Sequence, residues 1–298
     1  MAAKTGATGT GHEPSAQGST MTAVVQHRYG AADVLAVEDI GTPAIGDDDV
    51  LIRMHAAGLN AGDGFVVRGL PYILRLVAGL RRPRHAVRGA DIAGTVSKAG
   101  ANVADLRPGD EVLGCCGDVV TAGALAEYAR APRGKIVRKP TTITFEQPAA
   151  VPLAAVTALQ ALRDQARVQP GQRVLINGAS GGVGTFAVQI AKALGAHVTA
   201  VCSTANIGMV ASIGADAVID YTRDDFTTGT QRFDVILDNA ANHPLSHMRR
   251  VLTPRGTLVP NANTKGRWIG AYRRTLQGLV MAWFVPQRCS CRKSHPCR

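Results

Sequence analysis

The stretch from Gly171 to Ala196, GQRVLINGASGGVGTFAVQIAKALGA, decides the fold because it combines a strand, a glycine turn and a helix. Arg173 to Asn177 is a short run of β-branched residues and leucine, which is typical of a buried parallel strand. Apolar residues then recur at helical spacing until Gly195, which predicts the end of the helix. The stretch therefore predicts one strand-turn-helix unit of a parallel sheet.

The turn inside this stretch predicts a cofactor site. Its residues are Gly178, Ala179, Ser180, Gly181, Gly182, Val183 and Gly184. Glycines at these spacings allow a tight turn, close approach of the backbone to a pyrophosphate, and close contact between helix and strand. Unpaired N–H groups at the start of the helix favour phosphate. We expect these seven residues to bind a dinucleotide; a purely structural glycine turn is the alternative.

Strand-like and helix-like segments alternate through residues 146–287. Five strands are predicted, in the segments VLIN, HVTAVCS, AVIDY, FDVILDNA and GTLVP. Such alternation indicates the α/β class with a doubly wound parallel sheet of the Rossmann type. The segment LAAVTALQALRD before the first strand predicts a connecting helix.

Residues 21–145 have a different pattern of apolar and polar residues. Short alternating or apolar runs are separated by glycine and proline, which predicts a compact β-rich domain. The insert from Arg68 to His85 is the exception, and its apolar residues predict a short helix or a lid over a cleft, with its arginines on a solvated face. Residues 1–20 are rich in glycine, threonine, serine and alanine, which predicts disorder.

The net charge of +11 is a property of the C-terminal part of the chain. All 22 acidic residues lie at or before Asp238, so the excess comes from the last 60 residues. The sequence has no nucleic-acid reading motif, and we expect no nucleic-acid partner. The six cysteines show neither a disulfide framework nor paired C-x-x-C spacing, and no apolar run is long enough to span a membrane. These features favour a reduced, cytoplasmic protein without a membrane span.

Several blocks of this sequence resemble the zinc-independent branch of the medium-chain dehydrogenase/reductases, close to quinone oxidoreductases of the ζ-crystallin type. The blocks include MTAVVQHRYG, RGADIAGTVSKAGANVADLRPGDEVLG, AAVPLAAVTALQAL and SIGADAVIDY, in addition to the glycine turn. The resemblance implies a GroES-like catalytic domain over residues 21–145, a Rossmann domain after it, and NADPH held between them. Members of the family are commonly dimers, which leaves a homodimer open for this chain.

The resemblance also addresses the metal. Zinc members of the superfamily place a cysteine where this chain has Asn60, and a G-H-E where it has Gly89, Ala90 and Asp91. Neither Asn60 nor Ala90 offers the thiolate or imidazole that a catalytic zinc takes. We therefore expect no metal site.

Without a Lewis acid, conjugated acceptors are the expected substrates, namely quinones and activated enone-type double bonds. Hydride from the nicotinamide would add to the acceptor, and hydrogen-bond donors or water would stabilise the charge on its oxygen. Asn60 and Asp63 match the N-x-x-D that the family places next to the nicotinamide, and a capped turn is the alternative. Thr157 matches a family threonine at the nicotinamide. Asn239 and Ala240 end a predicted strand at the cofactor edge.

The predicted cofactor is NADP(H). The strand HVTAV is followed by Ser203 and Thr204, where an NAD enzyme would place an acid for the ribose hydroxyls. These two residues can donate hydrogen bonds to a 2′-phosphate, and Tyr221 matches a further family contact. Close relatives often carry an arginine where this chain has Ala205.

The C-terminal segment departs from the family. Residues 288–298, RCSCRKSHPCR, are basic, rich in cysteine and without apolar periodicity, which favours an aberrant tail on an incomplete Rossmann domain. Two alternatives to the reductase therefore stay open. One is an alcohol or aldehyde dehydrogenase of the same superfamily, and the other is a truncated nucleotide-binding protein with little catalysis.

Overall fold

The computed structural model describes residues 19–117, 120–121 and 123–261, together with the backbone of 288–289. In this part the chain forms a two-stranded hairpin, a five-stranded antiparallel sheet and a six-stranded parallel sheet. Of residues 1–20, which were predicted to be disordered, residues 1–18 lie outside the described residues, whereas Thr20 begins a strand. Most of the predicted tail, residues 288–298, also lies outside the described residues, and Arg288–Cys289 of that tail form a short strand. The predicted fold, a β-rich first half and an α/β second half with a parallel sheet, is confirmed.

The first half is built from short antiparallel strands. The hairpin pairs β1 (Thr20–Gln26) with β2 (Leu35–Gly41). The larger sheet has the order β6-β3-β4-β5-β7. Its strands in chain order are β3 (Asp49–Gly58), β4 (Asp91–Ala99), β5 (Glu111–Cys115), β6 (Tyr128–Pro132) and β7 (Ile136–Arg138). Alternate side chains such as Val50 and Ile52 on β3 are fully buried, so this half has a core of its own.

Two short helices occupy the connection between β3 and β4. The first is α1 (Ala61–Arg68), which begins directly after Asn60 and ends at Gly69 in the left-handed conformation. The second is α2 (Arg75–Ala78), which follows a 3₁₀ turn over Tyr72–Leu74. The short helix predicted for the insert is therefore confirmed.

The connection to the second half is helical, as predicted. It consists of α3 (Glu146–Ala149) and α4 (Pro152–Leu159), followed by a π-helical turn over Gln160–Gln165. Proline at the first position of α4 suits a helix start because its missing N–H is not needed there. α4 packs against α5 of the second half.

The second half is a parallel sheet with the strand order β10-β9-β8-β11-β12-β13. Its strands in chain order are β8 (Arg173–Asn177), β9 (His197–Cys202), β10 (Ala217–Asp220), β11 (Phe233–Asp238), β12 (Leu252–Pro260) and β13 (Arg288–Cys289). The helices are α5 (Gly182–Ala193), α6 (Ile207–Ser212) and α7 (Leu245–Arg250). Buried side chains line both faces, which is the doubly wound arrangement that the sequence predicts.

The strand order changes direction between β8 and β11. Chain order runs outward from β8 through β9 to β10, and then resumes on the other side of β8 at β11. In open parallel sheets, ligands bind at the carboxyl ends of the strands at such a switch point. The glycine turn follows the carboxyl end of β8, so the topology places it at this crevice.

Candidate functional site

The glycine turn is tight because its ends almost touch. Gly178 has a φ of +79°, and Gly181 is the N-cap of α5. A Cβ at Gly184 would lie 2.2 Å from the carbonyl oxygen of Gly178, so only glycine fits at position 184 in the first turn of the helix. The chain therefore passes from strand to helix with the helix start lying against the strand end.

The start of α5 has the features that favour an anion. The first N–H groups of a helix have no partner inside it, and here no side chain caps them and no acidic residue lies in the first turn. Gly181 and Gly182 are exposed, and a Cβ at Gly181 would have only the Gly178 oxygen near it, at 3.5 Å. The turn thus leaves open space of the kind that a pyrophosphate fills.

The other turn residues differ in their roles. Ala179 is fully buried, and its N–H donates to the carbonyl of Val201, so it fastens the turn to β9. Ser180 and Val183 are half-buried. The structure thus brings all seven predicted residues together, with Ala179 packed inward.

The end of β11 forms a second wall of the crevice. Asp238 is fully buried and accepts hydrogen bonds from Asn177 Nδ2 at 2.8 Å and from the Ala241 N–H at 3.0 Å. Asn239 uses its Oδ1 to accept a bond from Asn261 at 2.7 Å, whereas its Nδ2 is buried with no partner. An unpaired buried donor costs free energy until something accepts from it. Asn239 therefore presents a donor beside Gly178, where the sequence predicts cofactor contact.

The ends of β9 and β10 form the third part of the crevice. The Thr204 hydroxyl donates to Asp220 at 2.5 Å, and this bond is the main reason why the pKa of Asp220 is lowered. Arg223 lies 3.6 Å from the same carboxylate, and Tyr221 is more than half exposed. Ser203, Thr204 and Tyr221 were predicted at this edge, but Asp220, which reaches it from the end of the neighbouring strand, was not.

The predicted catalytic residues lie at the start of α1. The Asn60 N–H donates to Asp63 Oδ2 at 2.7 Å, and the Asn60 side-chain Nδ2 donates to Asp91 Oδ2 at 2.9 Å. Both carboxylates are buried. The two bonds fix the backbone and the amide plane of Asn60, so this residue is held from two directions.

Asp91 is a functional candidate that the sequence argument missed. Its second oxygen accepts the backbone N–H of Leu153 at 2.9 Å, at the first turn of α4. Its side chain is 1% exposed, and burial raises its pKa to about 6 despite the bonds from Asn60 and Leu153 that lower it. In the sequence, Asp91 was considered only as the last position of the segment that replaces the G-H-E of zinc members.

α4 connects this cluster to the glycine turn. Ala154, the residue after Leu153, has its Cβ 4.0 Å from the position that a Cβ at Gly182 would take. Thr157 is half-buried one helical turn further along. Two hydrogen bonds and one close approach therefore connect the β-rich half to the crevice, through Asn60, Asp91, Leu153, Ala154 and Gly182.

Arg88 is a second residue that the sequence argument missed. It is 2% exposed, close to Asp63 and Tyr29, and its Nε and Nη2 atoms have no hydrogen-bond partner. Burial lowers the pKa of Arg88 and raises that of Asp63, and the attraction between the two groups partly offsets both shifts. Arg88 thus supplies a buried positive charge close to the carboxylate of Asp63 in the first turn of α1.

The positions that hold zinc in other members of the superfamily are occupied by non-ligating groups. Ala90 is fully buried, and the Asn60 amide points its nitrogen at Asp91. Within the described residues, no cluster of three or more histidine, cysteine, aspartate or glutamate side chains could hold a metal ion. Cys115 is disulfide-bonded, in contrast to the reduced state that the cysteine spacing favours, and the buried thiols of Cys116 and Cys202 are free.

Comparison with protein families identifies both halves of the chain. Residues 46–141 match the alcohol dehydrogenase GroES-like domain, and residues 182–270 match the zinc-binding dehydrogenase family. No helix in the described part of the chain is long and apolar enough to cross a membrane.

Individual relatives are reductases by name. The trans-enoyl reductase pgmF of Aspergillus terreus is 39% identical over 207 residues, which cover 67% of this chain and 57% of the relative. A chloroplastic quinone-oxidoreductase homolog of Spinacia oleracea is 35% identical over 263 residues, which cover 85% of this chain and 75% of the relative. The chain thus spans less than two thirds of the fungal relative.

A solved structure extends the comparison to three dimensions. The quinone oxidoreductase of Escherichia coli, complexed with NADPH, superposes with a TM-score of 0.74 at 26% identity. The match covers 91% of this chain and 81% of that one.

Proposed function

Because the chain belongs to the medium-chain dehydrogenase/reductases and within them to the quinone oxidoreductase-like family, we propose that it is an NADPH-dependent reductase. Its proposed substrates are quinones or activated, enone-type double bonds, reduced by hydride transfer without zinc. The observation that carries this proposal is the crevice itself: an uncapped helix start on a glycine turn, beside the unpaired donor of Asn239.

The residues of the crevice fit a dinucleotide. A pyrophosphate requires free N–H groups and space that a side chain would fill, and the exposed Gly181 and Gly182 at the start of α5 provide both. Asn239 Nδ2 is a buried donor that a ligand oxygen would satisfy. We assign Gly178, Ser180, Gly181, Gly182, Val183 and Gly184 to the phosphates, and Thr157, Asn239 and Ala240 to the nicotinamide half.

The chain's own contribution to the reaction is positioning. When bound, NADPH supplies the hydride that a conjugated acceptor takes up. Asp63 and Asp91 hold Asn60 in one orientation through bonds of 2.7 and 2.9 Å, so that Asn60 can orient a bound ring with little loss of entropy. Gly64 follows Asp63, so that position offers no side-chain donor, and we propose that water delivers the proton to the product.

Zinc independence is part of the proposal and rests on residue chemistry. A catalytic zinc takes thiolate, imidazole or carboxylate ligands. Asn60 and Ala90 supply none of these, and both oxygens of Asp91 already accept hydrogen bonds.

The proposal also includes a preference for NADPH over NADH. Ser203, Tyr221 and the cation of Arg223 favour a 2′-phosphate at the edge of β9 and β10. Asp220 opposes it, because its carboxylate repels the phosphate and accepts the Thr204 hydroxyl. We infer a modest preference, in line with the NADPH that the Escherichia coli relative binds.

The test is NADPH oxidation by the purified full chain against quinones, enones and simple aldehydes. We expect turnover with the first two classes that survives prolonged chelation. Gly181→Val, which fills the phosphate space, should abolish NADPH binding, whereas Gly134→Val, at an open surface glycine of the β-rich half, should not. Loss of activity on chelation would favour the alcohol dehydrogenase alternative, and tight NADPH binding without turnover would favour a nucleotide-binding protein.

A further inference from the structure

The segment between α1 and β4 exposes apolar side chains at one place on the surface. Ile73 is 37% exposed, Leu76 63%, Val77 62% and Leu80 67%. These four exposed apolar residues lie within eight positions of the chain, and exposed apolar patches mark interaction sites. We call residues 73–84 the basic apolar loop.

Several contacts fix the inner side of the loop to the rest of the protein. The Arg75 guanidinium lies 4.4 Å from the ring centre of Tyr29 and 4.8 Å from that of Tyr72, and its Nε donates to the Gly69 carbonyl at 3.0 Å. The Tyr29 hydroxyl donates to the Gly79 carbonyl at 2.6 Å, and the Arg84 N–H donates to the Ala78 carbonyl at 2.8 Å. The loop is thus fastened on its inner side, with Ala78 buried.

The surroundings of the loop are basic. Residues 64–90 contain six arginines and no aspartate or glutamate, although the chain up to Asp238 is neutral as a whole. Arg81, Arg82 and Arg84 are exposed next to Leu80, and Arg68 is exposed at the end of α1. A pocket of about 360 Å³ is lined by His27, Arg82 and Arg84. Two acids of the hairpin and its connection, Asp33 and Glu38, are paired with Arg28 and His27.

We propose that the basic apolar loop docks this protein on an anionic lipid bilayer. Apolar side chains would enter the interface between headgroups and acyl chains while the arginines contact anionic headgroups. A nucleic acid would satisfy the arginines but would leave Leu76, Val77 and Leu80 in water. The association is peripheral. This membrane association goes beyond the proposed reductase function. Quinones and long enones that dissolve in membranes would be available to the protein at the bilayer surface.

The experiment is sedimentation of the full chain, without cofactor or substrate, with vesicles of phosphatidylcholine alone or with about one third phosphatidylserine. We expect binding to the anionic vesicles only, weakened by salt. Arg81→Gln with Arg82→Gln should weaken it by about fivefold for each arginine. Leu76→Ser with Val77→Ser should weaken it by at least about tenfold.

Matched controls are required because the last 60 residues carry the whole net charge and could bind anionic vesicles by themselves. Arg53→Gln with Arg107→Gln removes two exposed arginines elsewhere, and Val37→Ser with Val137→Ser removes two exposed valines elsewhere. Both controls should bind as the wild type does. If the loop variants also bind as the wild type, or if the arginine pair matters and the apolar pair does not, the proposal is wrong. NADPH oxidation is measured separately, so failure of the reductase proposal leaves this test intact.

Discussion

Replacing Asp91 with asparagine tests whether the buried link between Asn60 and α4 carries an ionised carboxylate. The variant keeps the size of the side chain and one oxygen acceptor but removes the charge. In the wild type, burial raises the pKa of Asp91 from 3.8 to about 6. At about 1.4 kcal/mol for each pH unit, this rise corresponds to about 3 kcal/mol.

The direction of the pH dependence follows from where the proton binds. Between about pH 4 and pH 6 the folded chain holds a proton on Asp91 that the unfolded chain has released. The contribution of Asp91 to stability is therefore fully present below the unfolded pKa and is lost as pH rises through the folded value. Other carboxylates, such as Asp216 and Asp220, have lowered pKa values and act in the opposite direction. Only the difference between wild type and variant isolates Asp91.

The assay is urea unfolding of both proteins at several pH values from about 4 to about 7. We expect the wild type to lose about 3 kcal/mol relative to Asp91→Asn across this range. Asp110→Asn is the matched control in the same half: the Arg107 N–H lowers the pKa of Asp110 below 3.8, so its change in stability lies at lower pH and the difference should stay nearly flat from about pH 4 to pH 7. A flat difference for Asp91→Asn would refute the buried, charged link. In addition, turnover by the variant should fall about tenfold, because the two bonds end on different oxygens of Asp91 and an NH₂ group at one of these places cannot accept from Asn60 or Leu153.

Three further substitutions test the cofactor crevice by calorimetric titration. Asn239→Ala should weaken NADPH and NADH binding alike by about tenfold, because it removes the unpaired donor; unchanged affinity would show that Nδ2 faces no ligand. Ser203→Asp should reverse or flatten the preference for NADPH by repelling the 2′-phosphate. Asp220→Asn should raise that preference by about tenfold, because it removes the negative charge beside Thr204 that repels the 2′-phosphate. Equal wild-type affinities for the two cofactors would contradict the inferred preference.

The fold was predictable because local patterns agree with the global arrangement. The run from Val174 to Ile176 is apolar without alternation, and the structure buries it between two parallel neighbours. The glycine turn was equally predictable, because a Cβ at Gly184 would collide with the strand end and the constraint is visible as glycine in the sequence. In both cases residues adjacent in the chain determine the outcome.

The rest of the site depends on residues that are distant in the chain. Thr204 and Asp220 are 16 positions apart, and only the parallel pairing of β9 with β10 brings their side chains to one edge. Asp91 and Leu153 are 62 positions apart and belong to different halves. No periodicity or spacing reports such pairs, so neither the bond between Thr204 and Asp220 nor that between Asp91 and Leu153 could be predicted from the sequence.

The position of Asp91 also explains why a buried acid with an unfavourable environment is tolerated. Gly58 leaves the space for it, since a Cβ there would lie 3.1 Å from Asp91 Oδ2 and 2.3 Å from the Ala149 carbonyl. An apolar residue at position 91 would leave the Leu153 N–H and the Asn60 amide without an acceptor, each at a cost of about 1–3 kcal/mol. That cost is comparable with the penalty of about 3 kcal/mol for the ionised carboxyl. The charge therefore adds little net stability, and its effect is to hold Asn60 and the start of α4 in one arrangement across the two halves.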